Sequence, residues 1–181
     1  MYAPPAAAPP PKKGMPTWMI VAISVAGVFV VVLPILSVLA VYGVRKYLVN
    51  AKTAEARNAL GEIAKDAANA YARDHALCAS ATHAVPADIA MVRGTKYQAG
   101  AGEWDADRAR NAGFACLGFS MEMPQYYQYS YAARGNVGEF AATARGDLDG
   151  DGKVSTFVVR GTVKGGELVI APAIEETDPE E

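Results

Sequence analysis

Acidic residues are absent from this 181-residue chain before Glu55, and charge of either sign is absent from Gly14 to Val44. As an α-helix this uncharged run would be about 46 Å long, whereas the hydrocarbon core of a bilayer is about 30 Å thick. Sixteen residues of the run are Val, Ile, Leu or Phe. Because a soluble protein rarely buries so long and uniform an apolar helix, we expect a single transmembrane helix over residues 15–44.

A cleavable signal peptide is the alternative interpretation of this run. The apolar region of a signal peptide is about 7–15 residues long and ends at a small-residue cleavage site. The run here is longer, and it leads into Tyr42-Gly43-Val44-Arg45-Lys46 without such a site. This favours a retained anchor, in which Pro34 would mark a kink.

Charges that flank the run leave its orientation open. The flanking bases are Lys12 and Lys13 on one side, and Arg45, Lys46, Lys52 and Arg57 on the other. A plain count slightly favours a cytoplasmic C-terminal side, yet the preceding tail is short and has no acids. No basic cluster lies elsewhere, so we expect no nucleic-acid partner.

Both ends of the chain have a biased composition. Residues 1–14 hold five of the eleven prolines, which predicts a Pro-rich, disordered or polyproline-II tail. Residues 175–181 hold five acids and no base. We therefore expect residues 176–181 to form a solvated, frayed acidic tail.

After the apolar run, residues 45–74 contain no proline and many alanines. Apolar residues recur there at helical spacing, at Leu48, Ala56, Leu60, Ile63, Ala67, Ala70 and Tyr71. Charged residues occupy most of the remaining surface, at Glu55, Arg57, Glu62, Lys65, Asp66 and Arg73. The pattern predicts one helix from about residue 16 to 75, whose part over 45–75 is amphipathic.

The rest of the chain favours loops and then strands. Residues 76–118 are predicted to be loops with a short helix near Pro86–Val92. Four strands are predicted within residues 125–172, at 126–133, 139–145, 154–163 and 168–172, separated by Gly-rich and Asn-rich turns. Short connections imply an antiparallel meander, whose apolar face the helix would cover. The predicted fold class is α+β.

Two segments carry a resemblance to a known family. Lys46–Leu60 resembles the segment of type IV pilins in which a Lys-Tyr pair precedes an Ala-Lys-x-x-Glu-Ala-Lys run. Gly146–Gly152, followed by Ser155-Thr156-Phe157, resembles a sheet turn of myxobacterial fimbrial proteins. The plan of one long helix packed on an antiparallel sheet is also that of pilins and pseudopilins.

The resemblance implies an orientation and a function. Residues 1–14 would be cytoplasmic, and residues 45–175 would form a periplasmic or extracellular domain anchored in the bacterial inner membrane. The implied partners are membrane lipid and other pilin-like subunits or envelope proteins, and no enzymatic activity is implied. An exported domain would allow Cys78 and Cys116, the chain's two cysteines, to form a disulfide.

The resemblance is incomplete at the processing site of prepilins. Lys12-Lys13-Gly14-Met15 resembles the cleaved junction, after which the fifth residue of a mature pilin is Glu. Here that position is Met19, and a register set from Lys46-Tyr47 would place it near Val25. The expected protein is therefore pilin-like but lacks the usual prepilin Glu.

Two metal-binding arrangements are conceivable. Asp147, Asp149 and Asp151 precede Gly152 like the first half of an EF-hand loop, but Val158 stands where the bidentate Glu belongs. Glu139 or Glu167 could complete such a calcium site, and a polar hairpin turn without metal is the simpler reading. The second arrangement, a zinc set, would use His75, Cys78, His83 and Cys116, whose spacing matches no common zinc finger.

No catalytic residue is predicted. Gly118–Glu122 departs from the G-x-S-x-G nucleophile elbow at its last position. We expect no cofactor, with Ca²⁺ as the alternative. The expected function is that of a membrane-anchored, pilin-like structural or interaction subunit, and the alternative is a solitary tethered domain that binds a ligand or calcium.

Overall fold

The structure, a computed structural model, describes residues 14–179 apart from the side chain of Arg45. The Pro-rich tail over 1–14 therefore lies outside the described residues except for Gly14. The chain divides into two compact units, one ending at Arg45 and one beginning at Lys46. The helices are α1 (Thr17–Asp74), α2 (Ala101–Trp104) and α3 (Gly113–Leu117), with 3₁₀ turns at Ile89–Val92 and Arg108–Arg110. The strands are β1 (Gln128–Arg134), β2 (Glu139–Gly146), β3 (Ser155–Lys164), β4 (Glu167–Ile170) and β5 (Glu175–Thr177).

In the first unit, helix α1 exposes its large apolar side chains on all sides. Trp18, Phe29 and Val30 are 69%, 56% and 73% exposed. The helix continues through Pro34, and Ser37 Oγ donates to the carbonyl of Leu33 at 2.8 Å. Among the described residues, α1 is the one helix long and apolar enough to cross a membrane, a property that an N-terminal signal sequence shares.

In the second unit, the amphipathic part of α1 buries one face. Of the seven predicted stripe residues, six are buried, namely Ala56, Leu60, Ile63, Ala67, Ala70 and Tyr71. The prediction is wrong for Leu48, which is 52% exposed. Burial begins instead with Val49, which is partly buried, and Thr53, which is fully buried. The spacing of three and four residues keeps these positions on one side of the helix.

The sheet is an antiparallel meander of β1, β2 and β3, and its last strand has two further neighbours on the same edge. β4 pairs with Gly161–Lys164 and β5 pairs with Thr156–Val158. Between them Ala171 N donates to Arg160 O, and Pro172, which has no N–H, interrupts the ladder. The predicted α+β class is confirmed, but the sheet has five strands where four were predicted.

β5 corrects the prediction of a frayed acidic tail, which is wrong for Glu176 and Thr177. Successive strand side chains point to opposite faces. Glu176 accepts two bonds from Arg57 of α1, at 2.7 and 2.9 Å, while Glu175 pairs with Arg160 of β3 at 3.0 Å. The bonds from Arg57 lower the pKa of Glu176. The acidic strand is thus attached to both the helix and the sheet.

The opposite edge of the sheet is also covered. The residues before the predicted short helix run along β1, where Ala81 N donates to Tyr131 O and Val85 N to Tyr129 O. Such pairing removes the exposed donors and acceptors that make a free sheet edge prone to association. Part of the predicted loop region 76–118 therefore serves as irregular edge structure, and its predicted short helix is the 3₁₀ turn Ile89–Val92. The prediction is incomplete, because the region also contains α2, α3 and the turn Arg108–Arg110.

Aromatic side chains form the core between sheet and helix. Tyr129 and Tyr131 share one face of β1, as the alternation predicted, and Tyr127 lies just before the strand, which begins two residues later than predicted. All three side chains are buried. The Tyr127 ring lies edge-on to Phe157 with centroids 5.6 Å apart. The Phe140 ring covers Gly161 of the next strand, where an added Cβ would lie 2.3 Å from Phe140 Cε1. Helix residues such as Leu60 belong to the same cluster.

Candidate functional site

The two cysteines join the end of α1 to helix α3. Their Sγ atoms lie 2.03 Å apart and their Cα atoms 5.8 Å apart, as in a disulfide, and both residues are buried. Close by, Gly113 N donates to Ala79 O at 2.8 Å. The bridge encloses the irregular segment that covers the edge of β1.

The alternative zinc set is not assembled. Cys78 and Cys116 use their sulfurs on each other. His75 and His83 are exposed, and His83 Nδ1 lies 3.1 Å from the hydroxyl of Thr82. Within residues 14–179, the one group of three or more candidate ligand side chains close enough for a metal is acidic.

That group is Asp147, Asp149 and Asp151, in the turn between β2 and β3. One carboxylate oxygen of each lies within 4.8 Å of the others. Asp147 is buried, and it accepts bonds from Gly150 N at 2.7 Å and Gly152 N at 3.0 Å. Asp147 also forms an ion pair with Arg93, whose Nε lies 3.3 Å from Asp147 Oδ2.

The two exposed acids of the turn also hold its backbone. Asp149 Oδ1 accepts from Asp151 N at 3.1 Å, and Asp151 Oδ1 accepts from Lys153 N at 2.8 Å. Lys153 Nζ lies 3.2 Å from the other oxygen of Asp151. These bonds give each acid a role in shaping a hairpin turn, as such residues commonly have.

Neither proposed acid is placed to complete a calcium site. The turn joins Gly146 to Ser155, which are paired at one end of β2 and β3. Glu139 begins β2 at the other end, where it pairs with Arg134. Glu139 is seven residues from Gly146, which is about 23 Å of extended strand. Glu167 begins β4, opposite Lys164 at that same far end. Val158 is half-buried within β3.

We expect calcium to change the melting temperature of the protein little, because the carboxylate oxygens of the turn already hold its own amides and bases. The measurement is thermal unfolding with millimolar calcium and with a chelator, on the wild type and on Asp149→Ala. A rise of several degrees that Asp149→Ala abolishes would contradict this expectation.

A second polar cluster lies where α1 meets the start of β1. Glu55 Oε1 accepts from Tyr126 N at 2.8 Å and from Tyr129 Oη at 3.2 Å. Burial raises the pKa of Glu55, although these bonds and the charge of Lys96 act in the opposite direction. Burial and the nearby Glu55 charge also raise the pKa of Tyr129. Glu55 thus fixes the helix against β1.

Two lysines lie over the same aromatic ring beside this cluster. Lys52 Nζ is 4.9 Å and Lys96 Nζ is 4.7 Å from the centroid of Tyr126. Lys52 Nζ also donates to the carbonyl of Leu148 at 3.3 Å. The Tyr126 ring therefore contacts one ammonium group from α1 and one from the loop that follows residue 92.

Sequence reasoning missed this cluster for a definable reason. The helical pattern predicts Glu55 and Arg57 on the solvent side of the helix, but they lie at the borders of its buried face. The available signal was their position next to buried Ala56. Lys96 and Tyr126 are far apart in sequence, and no local pattern brings them together.

Neither a family model nor a curated protein nor a solved structure matches this chain.

Proposed function

We propose that this chain is a non-enzymatic, single-pass membrane protein that acts as a pilin-like structural or interaction subunit of a cell-envelope assembly. The observation that carries the proposal is the difference between the two parts of α1. The helix exposes uncharged apolar side chains over residues 17–44 and buries its later stripe against an antiparallel sheet.

The exposed part of α1 has the chemistry of a lipid-facing segment. Water would have to solvate a run of side chains that are each about half exposed or more, among them Trp18, Phe29 and Leu39. Lipid removes that cost, since a helix satisfies its own backbone and presents only its side chains to the hydrocarbon. Small residues such as Ser24, Ala26 and Gly27 would allow close approach of a neighbouring helix.

The proposed orientation places residues 1–14 in the cytoplasm of a bacterium and the domain from Lys46 onward in the periplasm or outside the cell. The cysteine pair at bonding distance supports this side, because disulfides persist in oxidising compartments and are rare in the cytosol. The partners on this proposal are membrane lipid and other subunits or envelope proteins.

A reporter that is active only outside the cytoplasm, fused after Glu181, is expected to be active. The matched control is the same reporter fused after Lys13, which should be inactive. The protein should also stay in the membrane after alkaline extraction and migrate in mild detergent as a complex larger than a monomer. A reporter active only in the cytoplasm would overturn the orientation, and a monomer in native membranes would favour a solitary tethered domain.

A further inference from the structure

We propose that Tyr47, Leu48, Lys52, Lys96 and Tyr126 form a membrane-contacting surface of the domain, on which the two lysines bind the phosphate of anionic lipid headgroups. This inference rests on the proposed membrane anchoring. It concerns only residues of the second unit, so it names a surface of the domain that is separate from the apolar run.

The apolar part of this surface lies at the start of the unit. Tyr47 is 72% exposed and Leu48 is 52% exposed, although both follow the charged pair Arg45-Lys46. The next residue, Val49, is already packed against the core. Tyrosine is enriched where bilayer meets water, and lysine can extend its ammonium group from an apolar position toward the headgroups. Two large exposed side chains, Tyr47 and Leu48, therefore stand at the start of the domain.

The cationic part follows within one helical turn. Lys52 lies four residues after Leu48, which is about 6 Å of helix rise. The Tyr126 ring holds its ammonium group and that of Lys96 at 4.9 and 4.7 Å from the same centroid. Lys52 Nζ also donates to the carbonyl of Leu148, and Lys96 is exposed, so two positive charges are fixed at one aromatic ring, where they would attract a phosphate.

The acids near the lysines are largely occupied within the domain. Glu55 is half-buried and accepts bonds from Tyr126 N and Tyr129 Oη. Asp147 is buried beside Arg93, and Asp151 pairs with Lys153.

Asp149 is exposed, and its charge would moderate the attraction of phosphate. A lipid surface fits better than an acidic protein, because the exposed residues Tyr47 and Leu48 precede Lys52 on the same helix.

The test is amine-reactive labelling of the full chain in lipid nanodiscs, read by mass spectrometry at each lysine. One set of discs contains phosphatidylcholine alone, and the other contains equal parts phosphatidylcholine and phosphatidylglycerol. We expect labelling of Lys96 to slow several-fold in the anionic discs. Labelling of Lys164, at the far end of β3, should be unchanged.

Variants make the test specific. Lys52→Gln should remove most of the protection of Lys96, whereas Lys65→Gln, an exposed lysine of the same helix, should leave it intact. Equal labelling of Lys96 in both discs would overturn the inference, as would equal slowing at Lys164. Slowing by inorganic phosphate in neutral discs would indicate a phosphate site and also overturn the lipid surface. A chain that does not enter the discs would instead contradict the membrane anchor.

Discussion

The Leu60→Asp substitution is expected to unfold the domain that begins at Lys46. Leu60 is completely buried between α1 and the aromatic face of the sheet. The change removes its apolar contacts and places a carboxylate in the core. Losing a buried leucine side chain alone costs about 2–5 kcal/mol, and an unpaired buried charge costs several more. Since a typical domain is stable by about 5–15 kcal/mol in total, little or no stability would remain.

The measurement is near-ultraviolet circular dichroism and urea unfolding of the full chain in detergent micelles. Asn69→Asp is the matched control, because it adds the same carboxylate at an exposed position of the same helix. Glu62→Ala, also exposed, should likewise leave the unfolding midpoint nearly unchanged. If Leu60→Asp behaved like these two variants, the buried stripe would not be part of the domain core.

The second large effect concerns the disulfide. Cys78→Ser is expected to lower the free energy of unfolding by about 2–4 kcal/mol, because the unfolded chain regains the entropy of a loop of this size. The bridge joins residues 38 apart in sequence, and it ties the segment along β1 to α3. The loss would therefore appear first as exposure of that edge of the sheet.

The measurement is urea unfolding of the oxidised wild type, the reduced wild type and the double variant Cys78→Ala/Cys116→Ala. These forms distinguish the effect of losing the bridge from the effect of the hydroxyl that Cys78→Ser introduces. All forms without the bridge should unfold at a lower urea concentration than the oxidised wild type. Non-reducing peptide mapping should recover one cross-linked peptide containing both cysteines. Free thiols in protein purified without a reductant, or an unchanged midpoint, would contradict the prediction.

Periodic patterns accounted for the parts of the fold that depend on local sequence. The helical spacing of Ala56, Leu60 and Ile63 marked the buried face of α1, because a helix buries positions three and four residues apart. The alternation of Tyr129 and Tyr131 likewise marked the inner face of β1 and extends to Tyr127, which is buried just before the strand. In both cases one face of the element is buried, so the spacing of apolar residues along the sequence indicates which side chains lie on that face.

The failures arose where a distant partner decides the conformation. Glu175-Glu176-Thr177 has the composition of a solvated tail, yet Arg57 and Arg160 pair with its acids and β3 pairs with its backbone. The cluster of Glu55, Lys96 and Tyr126 has the same origin. No local pattern contains these contacts, because each joins residues that the fold alone brings together.

The separation in sequence between α1 and its partners has a kinetic consequence. The bonds that fix the helix join Glu55 to Tyr126, Tyr71 to Gly166 and Arg57 to Glu176, across 71, 95 and 119 residues. Contacts between such distant residues form late, because the chain must first close large loops.

Until the strands assemble, Leu60 and Ile63 have no core to enter. The newly made chain would then carry an unprotected amphipathic helix directly after its apolar run, and such intermediates aggregate readily. During folding, packing of the sheet onto the helix would therefore compete kinetically with association of the exposed helix with other surfaces.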